Sequence, residues 1–244
     1  MQHQRDVEDT ALALSMFVPA YATYQYMNLS KWSRTLKSTH PTIVHAFSII
    51  HNMGLHMFSV YIFANLFGIL LQHGIVRQPQ YYFNIPGTRR LLYMFYLSKY
   101  YEYMDTVLLL AKGKKPIFLQ KFHHCGAVIV WHLGYVFSFD GLFFASLINS
   151  GVHSVMYLYY LVSLFHEMRS YISKYKFFIT SAQVGQLAFG FVALPYFYYG
   201  IESRTNQNVI LVFDFYICVL LILFTKFMVD SYFPDKKIKS RDTI

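Results

Sequence analysis

Seven stretches of mostly apolar residues, at 10–28, 43–72, 89–111, 117–139, 141–165, 176–199 and 208–229, follow one another through this 244-residue chain with short polar segments between them. A helix needs about 20 such residues to cross the hydrocarbon core of a bilayer. Within lipid every backbone N–H and C=O must be satisfied inside the span, so runs of this kind fold as helices. The expected fold is an all-α membrane protein, one seven-helix domain over 1–244, with 1–9 as a lumenal tail and 230–244 as a cytosolic tail. The first stretch is the weakest, because Pro19 interrupts it and Tyr24, Gln25 and Tyr26 dilute its end. Asp6, Glu8 and Asp9 ahead of it contradict the basic n-region of a signal peptide.

Charged residues make up 14% of the chain, against about 25% in a soluble domain. The net charge of +9 does not indicate nucleic acid, since the basic residues lie between apolar segments rather than in one patch. Their distribution instead orients the chain. Thirteen Lys and Arg fall in the alternate segments around Lys31–Lys37, Lys112–Lys115, Arg169–Lys176 and Lys236–Arg241, and five in the opposite ones. The positive-inside rule places the richer side, and the C-terminus, in the cytosol. The sequon Asn28-Leu29-Ser30 would then sit at a cytosolic helix end, out of reach of glycosylation. Cys125 and Cys218 lie inside apolar stretches, where thiols pack as small hydrophobes rather than forming disulfides.

Four polar blocks interrupt the apolar stretches: Lys99-x-x-Glu102-x-x-Asp105-Thr106, Gln120-x-x-His123-His124, His153-x-x-Met156-Tyr157-x-Tyr159-Tyr160 and Thr180-x-x-Gln183-x-x-Gln186. Such groups are costly in a membrane and mark function by default. At 1.5 Å rise per residue, Asp105, His123 and Gln183 each lie roughly 10 Å below the basic side, on three helices. His51 could join them, and His153 lies deeper. Steps of three keep each block on one helix face. Read singly, each block has a packing explanation: a buried ion pair, interhelical amides, satisfied tyrosines. Their shared depth argues instead for one interior polar layer open toward the cytosol. His123 and His124 point about 100° apart, so one faces the cavity and the other a neighbouring helix.

In this order, the blocks resemble the signature of the ELO family of very-long-chain fatty acid elongases, over residues 10–230. The matches are KxxExxDT at Lys99–Thr106, HxxMYxYY at His153–Tyr160 and TxxQxxQ at Thr180–Gln186. The histidine box departs from the usual HxxHH, with Gln120 at its first position. The C-terminal Arg241-Asp242-Thr243-Ile244 also differs from the dilysine retrieval signal of many members.

The resemblance implies a 3-oxoacyl-CoA synthase of the endoplasmic reticulum membrane. It would condense a long-chain acyl-CoA with malonyl-CoA, using helices two to seven as a barrel around an acyl tunnel, with no metal and no cofactor. His123 would accept the acyl group, with His153 facing it and His124 as orienter. Asp105 and Glu102 would fix imidazole tautomers, and Lys99 would offset their charge. Gln120, Asn149, Tyr157, Tyr160, Gln183 and Gln186 would contact substrate, while Lys112, Lys114, Lys115 and Lys174 would hold CoA phosphates. Implied partners are the lipid bilayer and the ketoacyl reductase, dehydratase and enoyl reductase of the cycle. A homo-oligomer is compatible, and nucleic acid is not a partner. From the residues alone, a transporter with a midplane polar site stays open as the alternative.

Overall fold

The computed structural model describes residues 2–32, 37 and 40–233, and among these it is helical with no strand. The long helices are α1 (Gln2–Asn28), α2 (Pro41–His73), α4 (Thr88–Tyr101), α5 (Tyr103–Ala111), α6 (Phe118–Val136), α7 (Gly141–Ser163), α9 (Lys176–Tyr198) and α10 (Arg204–Tyr232). Two short helices, α3 (Tyr81–Asn84) and α8 (His166–Ser173), lie in connections where the sequence carries no apolar run. Arg34 and the basic residues Lys236, Lys237, Lys239 and Arg241 lie outside the described residues.

Among the described residues, four helices are long and apolar enough to cross a membrane: Pro41–His73, Gly141–Ser163, Lys176–Tyr196 and Arg204–Tyr232. The 89–111 stretch is broken into helices of 14 and 9 residues, each shorter than the roughly 20 a crossing needs. The 89–111 stretch carries Arg89, Arg90, Lys99, Glu102 and Asp105, and α6 carries the box residues. The outer faces are apolar and exposed, as lipid contact requires. On α10, Leu211, Phe215, Ile222 and Val229 point outward, while Ile210, Phe213, Ile217 and Leu220 are buried on the opposite face. That split is the amphipathic pattern turned inside out for a membrane.

Two helix boundaries differ from the sequence expectation. The first helix begins at Gln2, eight residues ahead of the expected start of the span at 10. The 89–111 stretch is two helices, parted at Glu102. There the Asp105 N–H donates to the Glu102 carbonyl one residue short of helical register. Ser98 one turn earlier bonds its hydroxyl to the Phe95 carbonyl, a local competition known to bend helices. No proline or glycine announced the break.

Neighbouring helices close a ring: α2 packs on α7, α7 on α9, α9 on α10, α10 on α6, α6 on α4, and α4 on α2. Helix α1 stands outside it, against α6. Its polar ties are Ser15 to His132 at 3.1 Å, Thr23 to Tyr103 at 3.3 Å and Tyr26 to Thr106 at 2.8 Å. At the end of the ring away from the basic loops, α3 forms a plug. The Tyr82 ring stacks on Phe143, its hydroxyl donates to the Gly74 carbonyl, and the N–H groups of Tyr82 and Phe83 donate to Asp140.

Candidate active site

A cavity of about 590 Å³ occupies the middle of the ring. Its polar end is lined by Lys112, Lys114 and Lys176, beside the basic loops, and its far end by Trp131, Phe144, Leu194 and Phe213. These four aromatic and aliphatic walls belong to, or pack against, the main apolar core. Between the ends lie His51, Glu102, Asp105, Gln120, His123, His124, Asn149, His153, Tyr157, Tyr160, Gln183 and Gln186. Helices α2, α5, α6, α7, α9 and α10 therefore all contribute, and the four polar blocks meet in one space.

Not every sequence candidate reaches that space. Lys99 lies behind the wall, 2% exposed. Its Nζ donates to Glu102 Oε1 at 2.8 Å and to Asn149 Oδ1 at 2.9 Å, and it sits over the faces of Phe95 and Trp131. A buried ammonium needs such a set of partners. Lys115 and Lys174 do not line the cavity, whereas Lys176, at the end of the same basic loop as Lys174, does. Lys174 lies over the Tyr175 ring.

The imidazoles the carboxylates meet are His51 and His153, outside the histidine box. Asp105 Oδ1 bonds His51 Nε2 at 2.8 Å, and Oδ2 accepts from the Tyr157 hydroxyl at 2.9 Å. Glu102 Oε1 is 3.6 Å from His153 Nδ1, an electrostatic contact longer than a hydrogen bond. The Nδ1 atoms of His51, His124 and His153 are buried without a hydrogen-bond partner among the described residues.

Helix α6 presents its two adjacent histidines differently. His124 is buried and its ring lies against those of Tyr26 and Tyr103, so contact with neighbouring helices is made through rings. His123 Nδ1 is 3.1 Å from the Tyr216 hydroxyl, and that hydroxyl donates to the His123 carbonyl at 2.9 Å. Gln120 donates to Thr106 Oγ1 at 2.9 Å, which in turn pairs with Tyr26. Gln183 Nε2 approaches Met156 Sδ at 3.2 Å, and Thr180 turns its hydroxyl to the Lys176 carbonyl and to Tyr232.

Tyr216 is the functional-site residue the sequence did not reveal. It is one of 22 tyrosines in an apolar run, with no polar neighbour at helical spacing to mark it. His51 stood out only through its depth.

An all-helical, multi-pass membrane protein with a histidine and carboxylate layer at the head of an apolar cavity is the class these features define. The chain belongs to the GNS1/SUR4 (ELO) family, whose model matches residues 11–240. It is 31% identical to fatty acid elongase 6 of Leishmania major over 75% of this chain, a match spanning about half (51%) of that protein. It is 32% identical to fatty acid elongase sre1 of Dictyostelium discoideum, over 81% of this chain and 76% of that one. Very long chain fatty acid elongase 1 of Homo sapiens is 29% identical over 88% of this chain and 81% of its own length.

Proposed function

We propose that this protein is a fatty acid elongase, the 3-oxoacyl-CoA synthase that joins a long-chain acyl-CoA to malonyl-CoA. The observation that carries the reading is the position of His123 and His153 on one cavity, between a lysine-lined mouth and an apolar floor. A thioester with an acyl tail in the floor and its CoA at the lysines would place its carbonyl at the imidazoles.

In the first step His123 attacks the thioester carbonyl, the C–S bond breaks, and CoA leaves carrying the imidazole proton. The acyl-imidazole so formed is reactive enough to pass the acyl group on. Malonyl-CoA then loses CO2, its α-carbon attacks the acyl carbonyl, the C–N bond breaks, and the imidazole regains a proton from solvent. The product is a 3-oxoacyl-CoA longer by two carbons. His153, the Asn149 amide and Gln183 line the space where the enolate charge develops, as donors for that charge must. Lys112, Lys114 and Lys176 supply cations for the CoA phosphates.

The same reading takes all seven helical stretches as spans, with α2 to α10 as a barrel around the acyl tunnel. The lysine-lined mouth then faces the cytosol from the endoplasmic reticulum membrane, where the other enzymes of the cycle would take the product.

Incubating purified protein with a long-chain acyl-CoA alone tests it. Free CoA should be released in one equivalent, and the intact mass should rise by one acyl chain. Malonyl-CoA should discharge the adduct as 3-oxoacyl-CoA. CoA release that waits for malonyl-CoA, with no adduct in the mass spectrum, would demote His123 from nucleophile to base.

A further inference from the structure

We infer that Tyr216 is a positioning residue, which holds His123 in the Nδ1–H tautomer and so leaves Nε2 as the atom that attacks. This assignment rests on the proposed acyl transfer for its consequence, but its geometry stands by itself. The Tyr216 hydroxyl has one proton and two neighbours on His123, the backbone carbonyl at 2.9 Å and the ring Nδ1 at 3.1 Å. A carbonyl oxygen can only accept, so the phenolic proton goes there. The remaining contact is satisfied only if Nδ1 carries the hydrogen and donates to the phenolic oxygen. In a neutral imidazole the other nitrogen is then an unprotonated acceptor. Among the described residues Nε2 has no hydrogen-bond partner, and His123 lines the cavity.

The ring of Tyr216 is held where its hydroxyl can do this. It stacks on Phe122, with centroids 5.9 Å apart, and it fills a notch in α6 at Gly126. A Cβ at Gly126 would overlap the Tyr216 ring. Gly126 follows His123 by three residues, on the same face of α6. One helix therefore supplies the nucleophile, the stacking partner and the gap that admits the tyrosine from α10. The tautomer has a chemical effect as well. Acylation at Nε2 makes the Nδ1 proton acidic, and that proton is the one CoA takes as it leaves.

Tyr216→Phe removes the hydroxyl and keeps the ring in its notch. The single-turnover rate of CoA release from acyl-CoA alone should fall on the order of 10–10²-fold, with KM for acyl-CoA changed less than about twofold. The direct readout is the ¹⁵N spectrum of histidine-labelled protein, with His123 assigned by the loss of its signals in His123→Gln. Wild type should show a protonated Nδ1 and an unprotonated Nε2, and Tyr216→Phe should mix the tautomers. A protonated Nε2 in wild type overturns the inference, as does an unchanged spectrum or an unchanged acylation rate in folded Tyr216→Phe. The wild-type spectrum decides even if that variant fails to fold. A wild-type protein that never releases CoA from acyl-CoA alone would count against the acyl-histidine step, while the spectrum still judges Tyr216.

Discussion

His51 Nε2 and Asp105 Oδ1 lie 2.8 Å apart, joining α2 to α5 across 54 residues of sequence. The second oxygen of the same carboxylate accepts from Tyr157 on α7. Asp105 is thus the knot of three helices around the cavity, and the imidazole it meets is that of His51. Removing one member of a buried hydrogen-bonded set leaves its partners unsatisfied, at about 1–3 kcal/mol each. Asp105→Ala should therefore lower the thermal midpoint in detergent markedly. Asp105→Asn keeps one acceptor oxygen and should recover part of that loss. Equal midpoints for the two variants would show that the carboxylate oxygens do not carry the knot.

Lys99 and Glu102 form a buried pair at 2.8 Å, both 2% exposed. Breaking one partner of such a pair strands a charge and costs about 3–5 kcal/mol. Lys99→Met should be the more damaging single change, because it strips Glu102 of its cation beside His153. Adding Glu102→Leu should restore much of the stability. Chemical or thermal denaturation of the single and double variants gives the coupling. Additive losses would mean the pair is not energetically linked.

The two cavity histidines should separate by step. His123→Ala and His153→Ala should each reduce overall condensation by about 10²-fold or more. With acyl-CoA alone, His123→Ala should release no CoA, whereas His153→Ala should still do so, since it serves the malonyl step. Full turnover in both variants would sink the histidine chemistry.

How much of this was legible in advance follows from the physics of each feature. Long apolar runs fixed helix existence well, so the 43–72 expectation met a helix at Pro41–His73. The break at Glu102 was hidden because it is made by a serine hydroxyl and a local turn rather than by proline or glycine. Spacing correctly brought four polar blocks to one cavity, since a period of three fixes a face. It could not say which partner each side chain takes. Asp105 chose His51 and Tyr157, and Lys99 went behind the wall, because those choices depend on the rotation of neighbouring helices. Tyr216 depends on the Gly126 notch, which only two packed helices reveal.

Gln120 donates to Thr106 and through it meets Tyr26 of α1. That is a supporting role which an imidazole N–H can also fill. Gln120→His should keep measurable turnover with an altered acyl-chain range, read by product analysis with acyl-CoAs of several lengths. Gln120→Leu, unable to donate, should do worse. Loss of all activity in Gln120→His would mean the amide carbonyl, not its N–H, is what the site needs.

One pH dependence of stability arises far from the cavity histidines. Asp140, in the connection between α6 and α7, is fully buried. One oxygen accepts from the N–H groups of Tyr82 and Phe83, and the other has no partner among the described residues. Burial pushes its carboxyl up from 3.8 to about 6, against the opposing pull of those N–H donors. Between these values the folded protein holds a proton that the unfolded chain has released. Stability must then fall as pH rises through this window and level off above it. Thermal midpoints across pH 4–7 should show that decline superimposed on other groups, and Asp140→Asn should remove this component while keeping an acceptor for the α3 plug. A profile for Asp140→Asn that parallels wild type throughout would show that Asp140 binds its proton alike in the folded and unfolded protein, against the upward shift.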